Sequence, residues 1–131
     1  MEIQGKKLKF GFKSATKFDE MAKAKNHRTI YAIVMDIVKE QKRLEKKYKK
    51  TFDRMSDEQR AEHNLDLHIN ETASFVYAGL DMEYDEVMEL LEKEILKTTV
   101  FEIASGVLVE FMQSPLMAAM KIKEENPKTP K

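Results

Sequence analysis

The residues of this 131-residue chain whose types could do chemistry are three histidines, a row of glutamates and a few serines. His63 and His68 bracket Asp66, a set that invites a metal ion. On a helix, five residues turn the chain through about 500°, so the two imidazoles would diverge by about 140°. A helical pair of zinc ligands needs i, i+4 spacing, and a chain without cysteine has no thiolate to complete the site. These histidines are expected to be ordinary exposed or helix-packing side chains, and His27, beside a break in the pattern, to cap or face solvent. Glu86, Glu89 and Glu92 recur at the spacing of a solvated helix face. Paired catalytic carboxylates need a pocket that raises one pKa, and nothing in the surrounding sequence predicts one. Ser14, Ser56 and Ser114 read as helix caps, while Ser74 and Ser105 fall inside apolar helices. The four glycines, at 5, 11, 79 and 106, are too scattered for a phosphate loop. No catalytic, metal-binding or cofactor-binding residue is expected, and the chain reads as non-enzymatic.

Two other patterns point to binding. Residues 39–54 hold eight basic side chains against Glu40, Glu45 and Asp53, enough to attract phosphate or an acidic surface. Only Tyr48 and Phe52 interleave with them, and Glu45 and Lys49 form an i, i+4 pair that merely supports a solvated helix. A solvated or protein-facing helix is therefore favoured over nucleic acid, which stays as the rival partner. Five of the nine methionines, Met82, Met88, Met112, Met117 and Met120, lie beyond residue 80. Unbranched thioethers fill cores, and they also adapt to variable partners. The uncharged run Phe111–Met120 is the best candidate for an exposed apolar patch. Phe101, Phe111, Met112, Met117 and Met120 are expected to contribute to a partner-binding surface. At ten residues that run is half of the roughly 20 needed to span a bilayer, so no membrane partner is expected. No signal peptide is read at the start of the chain.

The elements that must position these residues follow from periodicity and caps. Four glycines and three prolines are too few for a β-sandwich or barrel, and 35% charged with 42% hydrophobic residues suits a soluble helical chain. Ile3, Leu8, Phe10 and Phe12 alternate with polar residues around Gln4-Gly5-Lys6, predicting a hairpin over residues 1–13. Ser14 is the expected N-cap of a helix carrying Phe18, Met21 and Ala22, broken at Asn26-His27. Thr29 should open a long helix to about Phe52, and Ser56 with Gln59 a capping box for a helix ending near Gly79 as its C′ residue. Amphipathic helices through Val87–Ile95 and Val100–Met112 follow, and Ser114-Pro115 opens a last one. The fold class predicted is mainly α, a compact domain of five to six helices over residues 1–123 behind the hairpin, with 124–131 a disordered tail. Charge is balanced at 23 basic against 23 acidic residues, but unevenly placed. Residues 1–55 carry 16 basic and 7 acidic side chains, residues 56–131 the reverse, a split that suits protein partners or copies of the chain itself.

Two stretches carry a resemblance. Met1–Phe12 resembles the N-terminal hairpin of siphophage tail assembly chaperones, closest to those of phages infecting Gram-positive hosts, lactococcal ones included. The block Ala73–Leu80, an apolar helix ending in aromatic-x-Gly-Leu, resembles the same family, as does the acidic link and helix through Glu86–Glu92. Residues 39–55 have no counterpart in the family pattern. What the resemblance implies is a non-enzymatic scaffold in the host cytoplasm that binds the tape measure protein and keeps it soluble. It also implies help for tail-tube protein to polymerise around that partner, and absence from the mature virion. The rival reading is a small phage regulatory protein that binds nucleic acid or a host polymerase through residues 39–54.

Overall fold

The computed structural model of the chain describes residues 1–48 and 67–125. An antiparallel hairpin, β1 (Glu2–Ile3) and β2 (Lys6–Lys7), precedes six helices within those residues. They are α1 (Phe12–Lys25), α2 (Ile30–Tyr48), α3 (Ile69–Gly79), α4 (Tyr84–Glu94), α5 (Val100–Met112) and α6 (Pro115–Glu125). The mainly α class with an N-terminal hairpin is the one the sequence predicts. Helix α6 runs two residues past the expected domain end at 123, and positions 126–131 lie outside the described residues, as do His63, the Ser56–Gln59 box and 49–55.

Gln4 and Gly5 turn the hairpin with φ of 51° and 81°. Two successive positive values twist the loop in the sense its strands require, and only glycine adopts that region freely. Gln4 is held there by Glu94, whose Oε1 accepts the Gln4 side-chain amide at 2.8 Å and its backbone N–H at 3.3 Å. Lys6 thus belongs to β2 and not to the turn. The expected alternation also ends early: Leu8 and Phe10 are buried, while Phe12 is 85% exposed and opens α1. Ser14 explains the difference. Its Oγ accepts the Gly11 N–H at 3.0 Å and donates to the Lys9 carbonyl at 3.2 Å. The helix therefore starts at Phe12, with Gly11 at the cap position expected for Ser14.

Asn26, at φ 58°, closes α1 where the sequence places the break. Thr29 opens α2 by accepting the Ala32 N–H at 3.2 Å, and Asp19 of α1 adds a second cap on the Ile30 N–H at 2.9 Å. Ile30, Val34, Ile37 and Leu44 are buried along α2, and Lys42, Arg43, Lys46 and Lys47 are exposed. Helix α3 is the centre of the fold, buried at every position from Glu71 to Val76 and packed on α1, α4 and α5. Phe75 on α3 meets Phe18 of α1 at 4.4 Å, Phe111 of α5 at 5.0 Å and Phe10 at 5.9 Å between ring centroids. Each fully buried ring contributes about 1.5–3 kcal/mol of transfer free energy, so this quartet is the main tie between hairpin and helices.

Gly79 differs from expectation. It is the last residue of α3 rather than a left-handed C′ residue; among the described glycines Gly5 alone has positive φ. Its role is close approach: a Cβ there would lie 2.9 Å from Leu8 Cδ2 and 3.1 Å from Phe10 Cε1. The Lys9 N–H donates to the Gly79 carbonyl at 3.0 Å, fastening the hairpin to the end of α3. Ser114 caps α6 as expected, accepting the Met117 N–H at 3.2 Å with Pro115 in the first helical position.

Candidate functional site

Burial separates the five residues expected to form the partner surface. Phe101 is 55% exposed, but Phe111 and Met117 are core residues with 0% and 2% exposure. Met112 and Met120 are half-buried and packed against that core. The expected patch over 111–120 is therefore corrected. The run lacks charge because α5 ends and α6 begins facing inward, with α6 folded back on α2 and α5.

Apart from Phe12 and Tyr31, the large uncovered apolar side chains among the described residues lie at the ends of α3, α4 and α5. Ile69 at the start of α3, Ile95 and Leu96 at the end of α4, and Val100 and Phe101 at the start of α5 are all exposed, Leu96 at 84%. The α4–α5 link is short, and Thr99 caps α5 by accepting the Glu102 N–H at 3.0 Å, so these elements turn tightly and bring their ends together. Ile69, Ile95 and Val100 of this set line a groove of about 140 Å³ together with Ala73, Met88, Leu91 and Ile103, and Leu96 and Phe101 lie outside it. Thr72 and Glu92 are its polar members. Thr72 is 5% exposed, and its Oγ1 has no hydrogen-bond partner. A buried hydroxyl left in that state costs about 1–3 kcal/mol.

A second concavity, about 630 Å³ and open, lies between the hairpin, α1 and the end of α3. Lys6, Lys7, Lys9, Lys13 and Lys17 line it, with Asp81 opposite. Lys17 is spoken for: its Nζ donates to the Leu80 carbonyl at 2.6 Å and lies 4.4 Å from the Tyr77 ring centroid. Attention to residues 39–54 missed this cleft, although the i, i+4 spacing of Lys9, Lys13 and Lys17 marks a basic face in the sequence. Of the 39–54 stretch, the part to Tyr48 is helical, and the remainder lies outside the described residues. A third hollow of about 430 Å³ beside Phe101 contains Ser105, whose buried Oγ is also unpaired.

Among the described residues, His27, Ser74 and Ser114 take packing and capping positions. His68 precedes α3 and is exposed. His27 is half-buried rather than solvent-facing, 5.3 Å from the Phe18 ring. Its Nδ1 lies 2.8 Å from the Arg28 carbonyl, which can only accept, so that nitrogen carries the proton. In the neutral ring Nε2 then accepts from the Ser74 hydroxyl at 2.8 Å. Ser74 is wholly buried in α3, and this pair locks the α1–α2 connection onto α3 rather than presenting a nucleophile. Among the described residues no cluster of three histidines or carboxylates is placed to hold a metal ion, and no helix is long and apolar enough to cross a membrane.

Glu71 is the buried charge that periodicity did not reveal. Arg28 reaches it with Nε 2.9 Å from Oε2 and Nη2 2.7 Å from Oε1, and the His68 N–H donates to Oε1 at 3.0 Å. Burial works against its ionisation, but the Arg28 guanidinium and then the His68 N–H together hold the carboxyl below the usual carboxylate range. Near the lysine cleft, burial and then neighbouring Asp85 push the Tyr84 hydroxyl up. Arg28–Glu71 joins the basic half of the chain to the acidic one. Lys6, Lys7, Lys9 and Lys13 form no ion pair among the described residues, and neither do Asp85, Glu89 and Glu92. Comparison with family models, with curated proteins and with solved structures finds no match.

Proposed function

We propose that this chain is a non-enzymatic tail assembly chaperone that binds the tape measure protein and keeps it soluble during phage tail morphogenesis. The observation that carries the reading is an open groove between three helices whose exposed apolar lining is Ile69, Ile95 and Val100, with exposed Leu96 and Phe101 next to Ile95 and Val100 in the chain. A holdase for a long helical partner needs such a surface to cover the partner's apolar stripe, with charge around it for solubility. Buried Ser74, a Ser14 hydroxyl bonded to Gly11 and Lys9, and the helix-capping Ser114 support the non-enzymatic part. The resemblance of Met1–Phe12 and Ala73–Leu80 to the chaperone family supplies the identity of the partner. Tail-tube protein as a further partner, self-association through the two oppositely charged halves, residence in the host cytoplasm and absence from the mature virion belong to the same proposal.

The test is co-expression with the tape measure protein. The chain should move it from the insoluble to the soluble fraction and co-purify with it, and Ile95→Glu with Val100→Glu should abolish both. An insoluble tape measure protein in the presence of folded chain overturns the reading. The rival reading, binding of nucleic acid or host polymerase through residues 39–54, is supported instead if generic duplex shifts at low salt and charge reversal at Lys42 and Lys46 removes the shift.

A further inference from the structure

We infer that the cleft between the hairpin, α1 and the end of α3 binds a small oligophosphate, an anion with two or three linked phosphate groups. This cleft shares no lining residue with the apolar groove and stands apart from the chaperone reading. Size comes first. At about 630 Å³ the cleft falls within the roughly 300–1,000 Å³ of sites that take a small molecule. Charge then selects the ligand. Among the described residues its charged lining is five lysines and one aspartate, a net charge of +4, with no arginine or histidine. An arginine fork matches one carboxylate or phosphate at two points, whereas separate ammonium groups suit negative charge spread along a chain of groups. One phosphate brings a charge of about −2, well short of the lining's, and two or three linked groups come close to it.

The placement of these lysines works against the stability of the fold, a conflict that proteins keep at functional sites. Lys13 is the second residue of α1 and Lys9 lies just before it, at the positive end of a helix dipole that favours carboxylates. The first turn of α1 holds no acidic residue. Gly11 in the cap position brings no side chain over the helix start, and a Cβ added there would meet nothing within 4 Å. Ser14 fixes the turn that carries both lysines: its Oγ accepts the Gly11 N–H at 3.0 Å and donates to the Lys9 carbonyl at 3.2 Å. Lys17 is set in the wall by its 2.6 Å bond to the Leu80 carbonyl. Lys6, Lys7, Lys9 and Lys13 form no ion pair among the described residues. The nearby carboxylates are Asp81 in the lining and Glu2, across the hairpin from Lys7. An anion in the cleft relieves a repulsion that the chain itself leaves standing.

Titration calorimetry of the full chain with inorganic tripolyphosphate, orthophosphate, citrate and ATP, all at one low ionic strength, provides the test, since matched salt equalises screening. Tripolyphosphate should bind one to one and about tenfold or more tighter than orthophosphate or citrate. Equal affinity for ATP assigns recognition to the phosphates alone, and tighter ATP binding adds the nucleoside as their source; either supports the site. Lys9→Gln with Lys13→Gln should weaken tripolyphosphate about tenfold and raise the thermal midpoint of the ligand-free chain, because it removes like charges from the helix start. Lys6→Gln with Lys7→Gln should also weaken it. Lys39→Gln with Lys46→Gln removes the same charge from exposed positions of α2 and should leave binding unchanged. The proposal fails if tripolyphosphate gives no saturable heat, if orthophosphate binds as tightly, or if the α2 variant loses as much affinity as the cleft variants. A lowered midpoint with unchanged binding in the Lys9 and Lys13 variant marks these lysines as structural and also overturns it. So does a single-stranded oligonucleotide that binds far tighter than tripolyphosphate through the same lysines, since the cleft is then one stretch of a longer track.

Discussion

The guanidinium of Arg28 grips the buried carboxylate of Glu71 side-on, Nε to Oε2 at 2.9 Å and Nη2 to Oε1 at 2.7 Å, while its Nη1 holds Asp36 at 2.7 Å. One side chain in the α1–α2 connection thereby ties α2 to the first turn of α3. Glu71 also accepts the backbone N–H groups of Arg28 and His68, so a carboxylate with 0% exposure has donors on both oxygens.

Removing one partner should be far worse than removing both. Arg28→Ala leaves an uncompensated buried charge and should cost about 3–5 kcal/mol in chemical unfolding. The double variant Arg28→Met with Glu71→Leu removes the charge and its partner together, and should be clearly more stable than Arg28→Ala alone. If Arg28→Ala unfolds at the denaturant midpoint of the unaltered chain, the pair is not a structural tie.

The same pair sets an acid limb. The folded-state pKa of Glu71 is lowered, so the unfolded chain binds its proton first as pH falls. Its stabilising contribution is full above the ordinary glutamate pKa of about 4.3 and is lost as pH drops from there through the lower folded value. Stability measured from about pH 7 to pH 3 should therefore fall less steeply in Glu71→Gln than in the unaltered chain, whatever the offset at neutral pH. Parallel curves would show that another group titrates.

Gly79→Ala tests the close approach at the end of α3. Alanine favours the helix by about 1 kcal/mol over glycine. Against that, the new Cβ would press on Leu8 Cδ2 at 2.9 Å and on the edge of Phe10 at 3.1 Å. Leu8 has freedom to move, but Phe10 is pinned edge-on between Phe75 and Phe111. Overpacking of about 1–3 kcal/mol should outweigh the propensity gain, giving net destabilisation on the order of 1 kcal/mol in urea unfolding. A higher midpoint would mean that the hairpin yields.

What was legible in the sequence was what local chemistry decides. Thr29, Asn26 and Ser114-Pro115 mark helix ends through their own side chains, and the stripe of Ile30, Val34 and Ile37 marks a buried face through its spacing alone. What was illegible depended on partners distant in the chain. Glu71 looks like a mid-helix glutamate in a helix opened at Ser56, until α3 starts instead at Ile69 and Arg28, 43 residues away, is brought to it. Gly79 looks like a helix stop until Leu8 and Phe10 arrive, and Ser14 like a cap until Gly11 and Lys9 turn it into the third helical residue. The exposed apolar patch was misplaced for a related reason. Absence of charge over 111–120 marks burial and exposed binding patches alike, and only the packing of α6 on α2 and α5 tells them apart.

That ambiguity yields the sharpest contrast between two phenylalanines ten residues apart. Phe111 is fully buried against Phe10 and Phe75, with ring centroids at 5.7 and 5.0 Å, and its truncation leaves a cavity at the meeting of hairpin, α3 and α5. Phe111→Ala should cost about 3–5 kcal/mol and lower the thermal midpoint by many degrees. Phe101 is 55% exposed, and Phe101→Ala should change stability by no more than about 0.5 kcal/mol. Solubility rescue of the tape measure protein should run the other way once both variants are compared well below their midpoints. Phe101→Ala should weaken it with the fold intact, whereas Phe111→Ala should weaken it only in proportion to the unfolded fraction seen by circular dichroism. Equal rescue by the Phe101 variant and the unaltered chain would remove this side chain from the binding surface.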